Sequence, residues 1–552
     1  MEAFIEASEA KLWPEQVSVI EECMERGVFG LSLKFGFGKT LVSLVLGLKK
    51  KFMSGSKEPL LVVASKTLVG SWEVEIAKFF GTSLKYQIIN DDPKNFTLEP
   101  DTLVVIVTPE TASKFYKDNM ISEKFITKDK YIDPNVRFPL IKNVYGTPKV
   151  PYLRTAIGGS IIYQRNWACL IIDEGHRYTN VTTARCQALG AICSRYRWIL
   201  SGTMFDEPKV EKILGYYVIL HWTRFPRDIP EATKFIRSPE FRGTRESIVE
   251  REETKELDVK VNKHIIQHTL SEEEGLIYVS MKKTLVLLRA HCRKAVRKED
   301  RKKFSSYILG MIVYLRQSVV VPLIPFANIA LEMSELNDIR SELSVMLMDQ
   351  FKKLNLKQFL NSEESARSSR IANVIKVCQK HNKPTDKLVV FSCFCTSLDM
   401  IQYYINEEVP TDIYHLKSSQ SIDARTNLID DFQKSKENSI LLGSFDLLSE
   451  GLNLQCANVV VIVDFWWNSG STRQSLARVI RSGQMNKEVD VYFFCSNTGI
   501  EKAIFAKQSD KILCLEELKS GPMKTKVRTL TMNEVLTLID SHESREFLNK
   551  TY

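Results

Sequence analysis

Eleven cysteines are spread through 552 residues without one Cys-x-x-Cys pair. The tightest spacing, Cys393-Phe394-Cys395, is too close for a disulfide or a zinc knuckle. This pattern excludes a disulfide scaffold and a zinc ribbon, and it fits reduced, mostly buried thiols in a cytosolic or nuclear protein. No apolar run approaches the roughly 20 residues of a membrane span, so no membrane partner is expected. The opening Met1-Glu2-Ala3-Phe4-Ile5-Glu6 is acidic and has no apolar core, so no secretory signal is expected either. Internal repeats and low-complexity tails are missing too. Charge of one sign does not dominate: 76 basic residues against 67 acidic ones leave a net +9. That permits a polyanionic partner without demanding one.

What is present is an α/β grammar, written twice. Leu60–Ala64, Leu103–Val107, Leu170–Ile172 and Trp198–Leu200 are short and apolar at every position, as strands buried on both faces must be. Turn residues and helix-patterned stretches separate them. The same alternation returns at Leu388–Phe391, Ile440–Leu442, Val459–Val463 and Val489–Phe494. The length suits three to four domain-sized units. From about Leu270 to Lys357 the chain is helix-patterned and strand-poor. It carries Lys282, Lys283, Arg289, Arg293, Lys294, Arg297, Lys298, Arg301, Lys302 and Lys303 against only Glu299 and Asp300. A solvated helix flank and a phosphate-contacting surface both fit such a run.

Three segments carry chemistry. Gly36-Phe37-Gly38-Lys39-Thr40 follows a short apolar strand and precedes a helix start. Glycines there let backbone N–H groups close around phosphates, with Lys39 reaching the terminal phosphates and Thr40 offering a hydroxyl to Mg²⁺. A glycine-rich turn with a chance lysine is the competing reading. Asp173-Glu174-Gly175-His176 follows the strand Leu170–Ile172, where a carboxylate points into the ligand crevice. Asp173 would hold Mg²⁺ and Glu174 would orient water; a plain helix N-cap is the alternative. Third, Gln474-to-Gln484 contains Arg478 and Arg481, three apart and expected on one helix face. Two guanidinium groups on one element can neutralise a phosphate chain. Gln16, in Leu12-Trp13-Pro14-Glu15-Gln16, has an amide that could match an adenine edge, or it could be an exposed polar residue.

Taken in order, these motifs resemble a SWI/SNF-type ATPase of helicase superfamily two over roughly residues 10 to 540. Leu12–Gln16 resembles the glutamine motif, Gly36–Thr40 motif I, Val62–Trp72 motif Ia and Asp173–His176 motif II. Ser201-Gly202-Thr203 resembles motif III, a coupling element with His176. Leu315-Arg316-Gln317 with Pro322 and then Phe391-Ser392 follow. Gly451-Leu452-Asn453-Leu454 resembles motif V, Asp464-to-Asn468 the aromatic box beyond it, and Gln474-to-Gln484 motif VI. The compact length and drifted motifs also resemble virus-encoded members, such as the baculovirus global transactivators and the poxvirus nucleoside triphosphatase. Two departures stand out: Leu33-Lys34 replaces an Asp-Glu pair, and Met204-Phe205-Asp206 follows motif III.

The resemblance implies two RecA-like parallel-sheet lobes with a helical insertion between them. Residues 1–260 would form the ATP-binding lobe, with an insertion at about 114–164. Residues 261–365 would be a helical, basic protrusion, 366–515 the second lobe and 516–552 a C-terminal helical brace. It implies ATP and Mg²⁺ as cofactors and double-stranded DNA as partner. Gln16, the Gly36–Thr40 loop, Gly451, Gln474, Arg478 and Arg481 would bind the nucleotide. The expected activity is ATP-driven translocation on duplex DNA within chromatin or a transcription complex. A strand-separating helicase and a weakly catalytic transcription subunit are the alternatives. The nucleus, or a cytoplasmic viral factory or virion, is the expected setting.

Overall fold

The computed structural model describes residues 12–33, 36–89, 96–119, 160–181, 183–202, 204, 210–220, 234, 238, 248–251, 259–325, 343, 345–347, 349, 367–449, 452–481, 483–520 and 532–540. The chain divides into two compact units. One comprises residues 1–257 with 511–529, the other 258–510 with 530–552.

The first unit is built on seven parallel strands: β1 (Val28–Leu33), β2 (Leu60–Val63), β3 (Tyr86–Ile89), β4 (Val104–Val107), β5 (Trp167–Ile172), β6 (Ser194–Ser201) and β7 (Ile248–Arg251). They lie in the order β3-β4-β2-β5-β6-β1-β7. Parallel neighbours need crossovers, and helices supply them on both faces. Leu60 and Val62 of β2 point into one core layer, with Val42, Leu46 and Trp72. Leu61 and Val63 point into the other, with Tyr116, Leu189 and Tyr217. Two buried faces explain why the strand is apolar at consecutive positions.

The second unit repeats the scheme with β8 (Lys260–His268), β9 (Lys387–Ser392), β10 (Asp412–His415), β11 (Ser439–Ser444), β12 (Val459–Ile462) and β13 (Glu488–Ser496). The order is β10-β11-β9-β12-β13-β8, again all parallel. Leu388 and Val390 face one layer, Val389 and Phe391 the other. The expected α/β class, two parallel sheets with a helical region between them in sequence, is the observed one. The boundary placed at residue 261 falls inside β8, which alternates exposed and half-buried residues along the sheet edge.

Between β8 and β9 lie two long helices, Glu272–Lys294 and Lys298–Val320. The first opens with a capping box: Ser271 Oγ accepts from Glu274 N, and Glu274 accepts from Ser271 N. Glu274 also takes Ser369 N at 2.7 Å, tying the helix to the one that precedes β9. The two helices enclose their own core of Met281, Leu285, Leu288, Met311 and Leu315. Ile500, Ala503, Val535, Leu536 and Ile539 close that core from the C-terminal region. Of the 114–164 insertion, 120–159 lie outside the described residues, as do 521–531 and 541–552 of the C-terminal brace. No helix among the described residues is long and apolar enough to cross a membrane. Ten of the eleven cysteines are free thiols, Cys23, Cys169, Cys186 and Cys378 among those that are buried.

Candidate nucleotide site

Strand order creates the site. β1, β6 and β5 are parallel neighbours, so their carboxyl ends open on one edge of the sheet. The glycine loop leaves β1, Ser201 ends β6, and Asp173-Glu174 follow β5. Ligands in such sheets sit outside those strand ends.

Gly38 caps the helix Lys39–Met53 in a left-handed conformation, φ 83°. A Cβ at Gly38 would lie 2.5 Å from Gln16 Nε2, so the position has no space for a side chain. Gln16 is buried, and its amide donates to Phe37 O at 2.6 Å and accepts from Trp13 N at 3.0 Å. The donor of the proposed adenine reader thus braces the phosphate loop, and its acceptor caps its own helix at Trp13. Lys39 Nζ lies 3.6 Å from Glu174 Oε1, both side chains largely shielded from water. Thr40 stands in the first turn of the same helix.

Asp173 is fixed at both carboxylate oxygens. Oδ1 accepts from Glu174 N and Oδ2 from the Trp72 indole N–H, each at 2.9 Å. Burial, then the neighbouring Glu174 carboxylate, pushes its pKa up to about 6. Lys39 and the two N–H donors act in the opposite direction. Glu174 sits in the left-handed region at φ 44°, one of two non-glycine residues to do so among the described residues. Such a conformation costs roughly 1–2 kcal/mol, a strain that collects at functional sites. It turns the chain from β5 into the short helix Gly175–Tyr178. Glu174 Oε2 approaches His176 Nδ1 at 3.3 Å, and that nitrogen shares a hydrogen bond with Ser201 Oγ at 2.8 Å. Lys39, Glu174, His176 and Ser201 therefore form one connected chain across three strand ends. Thr203 lies outside the described residues. Met204, a departure from the family pattern, is buried over β1; a Cβ on Gly30 would fall 2.3 Å from its Cε, so glycine there makes the room.

The donor set suits a magnesium nucleotide. Among the described residues no group of three or more His, Cys, Asp or Glu could hold a metal by itself. Mg²⁺ is commonly held by one or two carboxylates together with substrate phosphates, a pattern that Asp173 and Thr40 can meet.

In the second unit, Gln474 is buried on the helix Ser469–Val479 and Arg478 stands in its last turn. The expectation that both arginines share one helix face is corrected here. The helix stops at Val479, Ile480 leaves helical geometry at ψ 88°, and Arg481 lies beyond it. The turn is held by Gln484, whose Nε2 donates to Val479 O at 2.9 Å and Ala457 O at 3.0 Å. Leu454 N donates to Arg478 O, which joins the last turn of this helix to the end of motif V. Gly451 lies outside the described residues. Arg316 is buried with its guanidinium against Phe394 and Trp466, and it donates to Phe465 O at 2.9 Å.

Sequence reasoning missed two features of the first unit. Trp72 appeared as the end of motif Ia, on the buried stripe Leu68-Trp72-Ile76-Phe80, which looks like plain core. An open cleft of about 700 Å³ lies beside motif II, lined by Glu110, Ser113, Lys114, Arg177, Thr183, Ala184 and Arg185. Arg177 follows His176 directly, the one signal that could have pointed there.

Two parallel-sheet units, one with a phosphate loop and a carboxylate box at the ends of the two strands that flank β6, define a helicase-type nucleoside triphosphatase. Residues 31–220 match the SNF2-related domain and 369–483 the helicase conserved C-terminal domain, and the chain belongs to the SNF2-related ATPases. The chain is 22% identical to the protein named helicase 172L of Invertebrate iridescent virus 6, over 92% of this chain and 88% of that one. It is 24% identical to the DNA repair and recombination protein RAD54 of Saccharomyces cerevisiae, over 98% of this chain and 60% of the yeast protein. The chain thus spans about three-fifths of that relative's length. Among solved structures, the SWI2/SNF2 ATPase core of Sulfolobus solfataricus in complex with double-stranded DNA is 18% identical, covers 96% of this chain and 97% of its own, and has a TM-score of 0.36.

Proposed function

We propose that the chain is an ATP-driven translocase on double-stranded DNA, working within chromatin or a transcription complex and leaving the strands paired. The carrying observation is the connected Lys39–Glu174–His176–Ser201 chain beside Asp173. Lys39 would turn from Glu174 to the terminal phosphates, leaving the Glu174 carboxylate to orient the attacking water. Asp173 and Thr40 would hold Mg²⁺, which when bound neutralises charge on the phosphates. Ser201, through His176, would pass the state of the site along β6. Arg478 and Arg481 would act on charge that develops during hydrolysis, which requires the second unit to reach the nucleotide. The names of two relatives, a DNA repair and recombination protein and the chromatin-remodeling factor PICKLE of Arabidopsis thaliana, support a duplex partner. The cleft with Arg177 and Arg185, and the exposed Arg293, Lys294, Arg297 and Lys298, would meet backbone phosphates. Relatives of this kind support a nuclear setting, and the iridescent virus protein supports a viral factory.

The test measures ATP hydrolysis by the full chain with no nucleic acid, duplex DNA, single-stranded DNA and RNA, beside a forked-duplex displacement assay. Stimulation by duplex without displacement is expected. Displacement of a strand, or stimulation by RNA alone, overturns the reading.

A further inference from the structure

We infer that Trp72 is a positioning residue of the nucleotide site, aiming the Asp173 carboxylate at the metal through its indole N–H. This rests on the assignment of Asp173 as a magnesium ligand.

The helix Lys66–Phe80 buries every fourth residue, and at Trp72 the stripe meets the carboxyl end of β5. Trp72 is 1% exposed and Asp173 6%. The indole N–H is a single donor with no acceptor capacity, and it is expensive to bury without a partner. It spends that donor on Asp173 Oδ2 at 2.9 Å, across 101 residues of sequence. Phenylalanine, a smaller aromatic, would also pack in this core and bring no polar group to satisfy. The tryptophan therefore does something that packing alone does not ask for. A carboxylate turns easily about its last torsion. With Glu174 N on Oδ1 and the indole on Oδ2, both oxygens are held and that rotation is stopped. Each oxygen keeps a second lone pair, so the site stays able to accept a cation or its water. Outer partners of metal ligands set orientation in this way, and their loss commonly costs about 10–100-fold in metal affinity or activity.

The experiment uses the full chain without DNA, so that it does not depend on translocation. Binding of a non-hydrolysable ATP analogue is followed by calorimetry across a Mg²⁺ titration, in the parent, Trp72→Phe, Asp173→Ala and the double variant. Trp72→Phe should raise the Mg²⁺ concentration for half-maximal binding about tenfold or more, with binding of the metal-free nucleotide unchanged. Added to Asp173→Ala, it should change nothing further, because its effect runs through that carboxylate. A second measurement needs no substitution: with ¹⁵N-labelled indoles, one of the seven tryptophan signals should move when Mg²⁺ and nucleotide are added together and stay in place with nucleotide alone. An unchanged Mg²⁺ requirement in Trp72→Phe, additive losses in the double variant, or seven indole signals indifferent to Mg²⁺ would each overturn the role. A parent chain that binds no magnesium nucleotide would overturn both this inference and the site itself.

Discussion

Lys39 and Glu174 hold each other in a pocket shielded from most solvent, and each is needed elsewhere once phosphates arrive. An amide at 174 keeps the size but loses the charge that orients and polarises water. Glu174→Gln should therefore bind ATP about as well as the parent and turn over about a hundredfold slower or worse. Single-turnover hydrolysis, read beside equilibrium binding, checks this; parental turnover would remove Glu174 from the water-orienting role. Single residues were unevenly legible. Lys39, Asp173 and Glu174 announce themselves by spacing, because phosphate chemistry tolerates few alternatives. Gln16 and Trp72 do not, since their partners lie 21 and 101 residues away and no local pattern encodes the pairing.

Among elements, the nine strands that read as continuous or short apolar runs are central or buried, and the four that escaped the sequence reading, β3, β7, β8 and β10, are the four sheet edges. An edge strand covers one partner and often one face, so it needs no unbroken apolar run and leaves none in the sequence. The same limit affects the Arg478–Arg481 pair: spacing implied a shared helix face, but helix ends depend on caps such as Gln484 that a period cannot show. The basic tip between Glu272–Lys294 and Lys298–Val320 gives an element-scale prediction. Neutralising Arg293, Lys294, Arg297 and Lys298 should weaken duplex binding equally on unrelated sequences. It should also flatten its salt dependence by about 0.9 in log–log slope for each DNA phosphate that is no longer neutralised. Binding isotherms at several salt concentrations decide it, and an unchanged slope makes the tip a solvated surface.

At the scale of the whole molecule, the second unit hides an ionised knot that links its first strand, its first post-protrusion helix and the helix Gly499–Ser520. Arg370, fully buried, donates to both oxygens of Glu501 at 2.8 Å and to Val463 O, while its Nε faces His268 Nε2 at 3.4 Å. Burial, then the nearby Arg370 guanidinium, lowers the His268 pKa to about 3. Arg370 and the hydrogen bonds from Ser496 hold the Glu501 carboxyl below its usual range against burial. Both groups thus bind protons more readily in the unfolded chain. Stability is complete above the ordinary histidine pKa of 6.5 and falls as pH drops toward 3, with Glu501 adding to the loss at lower pH. His268→Gln should remove about 1 kcal/mol per pH unit from that slope, averaged between pH 6.5 and 5. Urea unfolding of the full chain at pH 7 and pH 5 measures it, and parallel pH profiles for parent and variant would exclude His268 as the cause.

The placement of β8 also governs how the chain can be divided. Lys260–His268 stands ahead of the helical region, yet it pairs with β13 over nine consecutive residues. A recombinant piece beginning near residue 369, where the helicase C-terminal match starts, would shed that strand along with the long helices. β13, whose Val489, Val491, Phe493 and Phe494 are buried, would become an unprotected edge able to recruit other chains. A soluble fragment of the second unit has to begin ahead of Lys260, so the shortest workable piece runs from the linker after β7 rather than from the boundary that sequence similarity suggests.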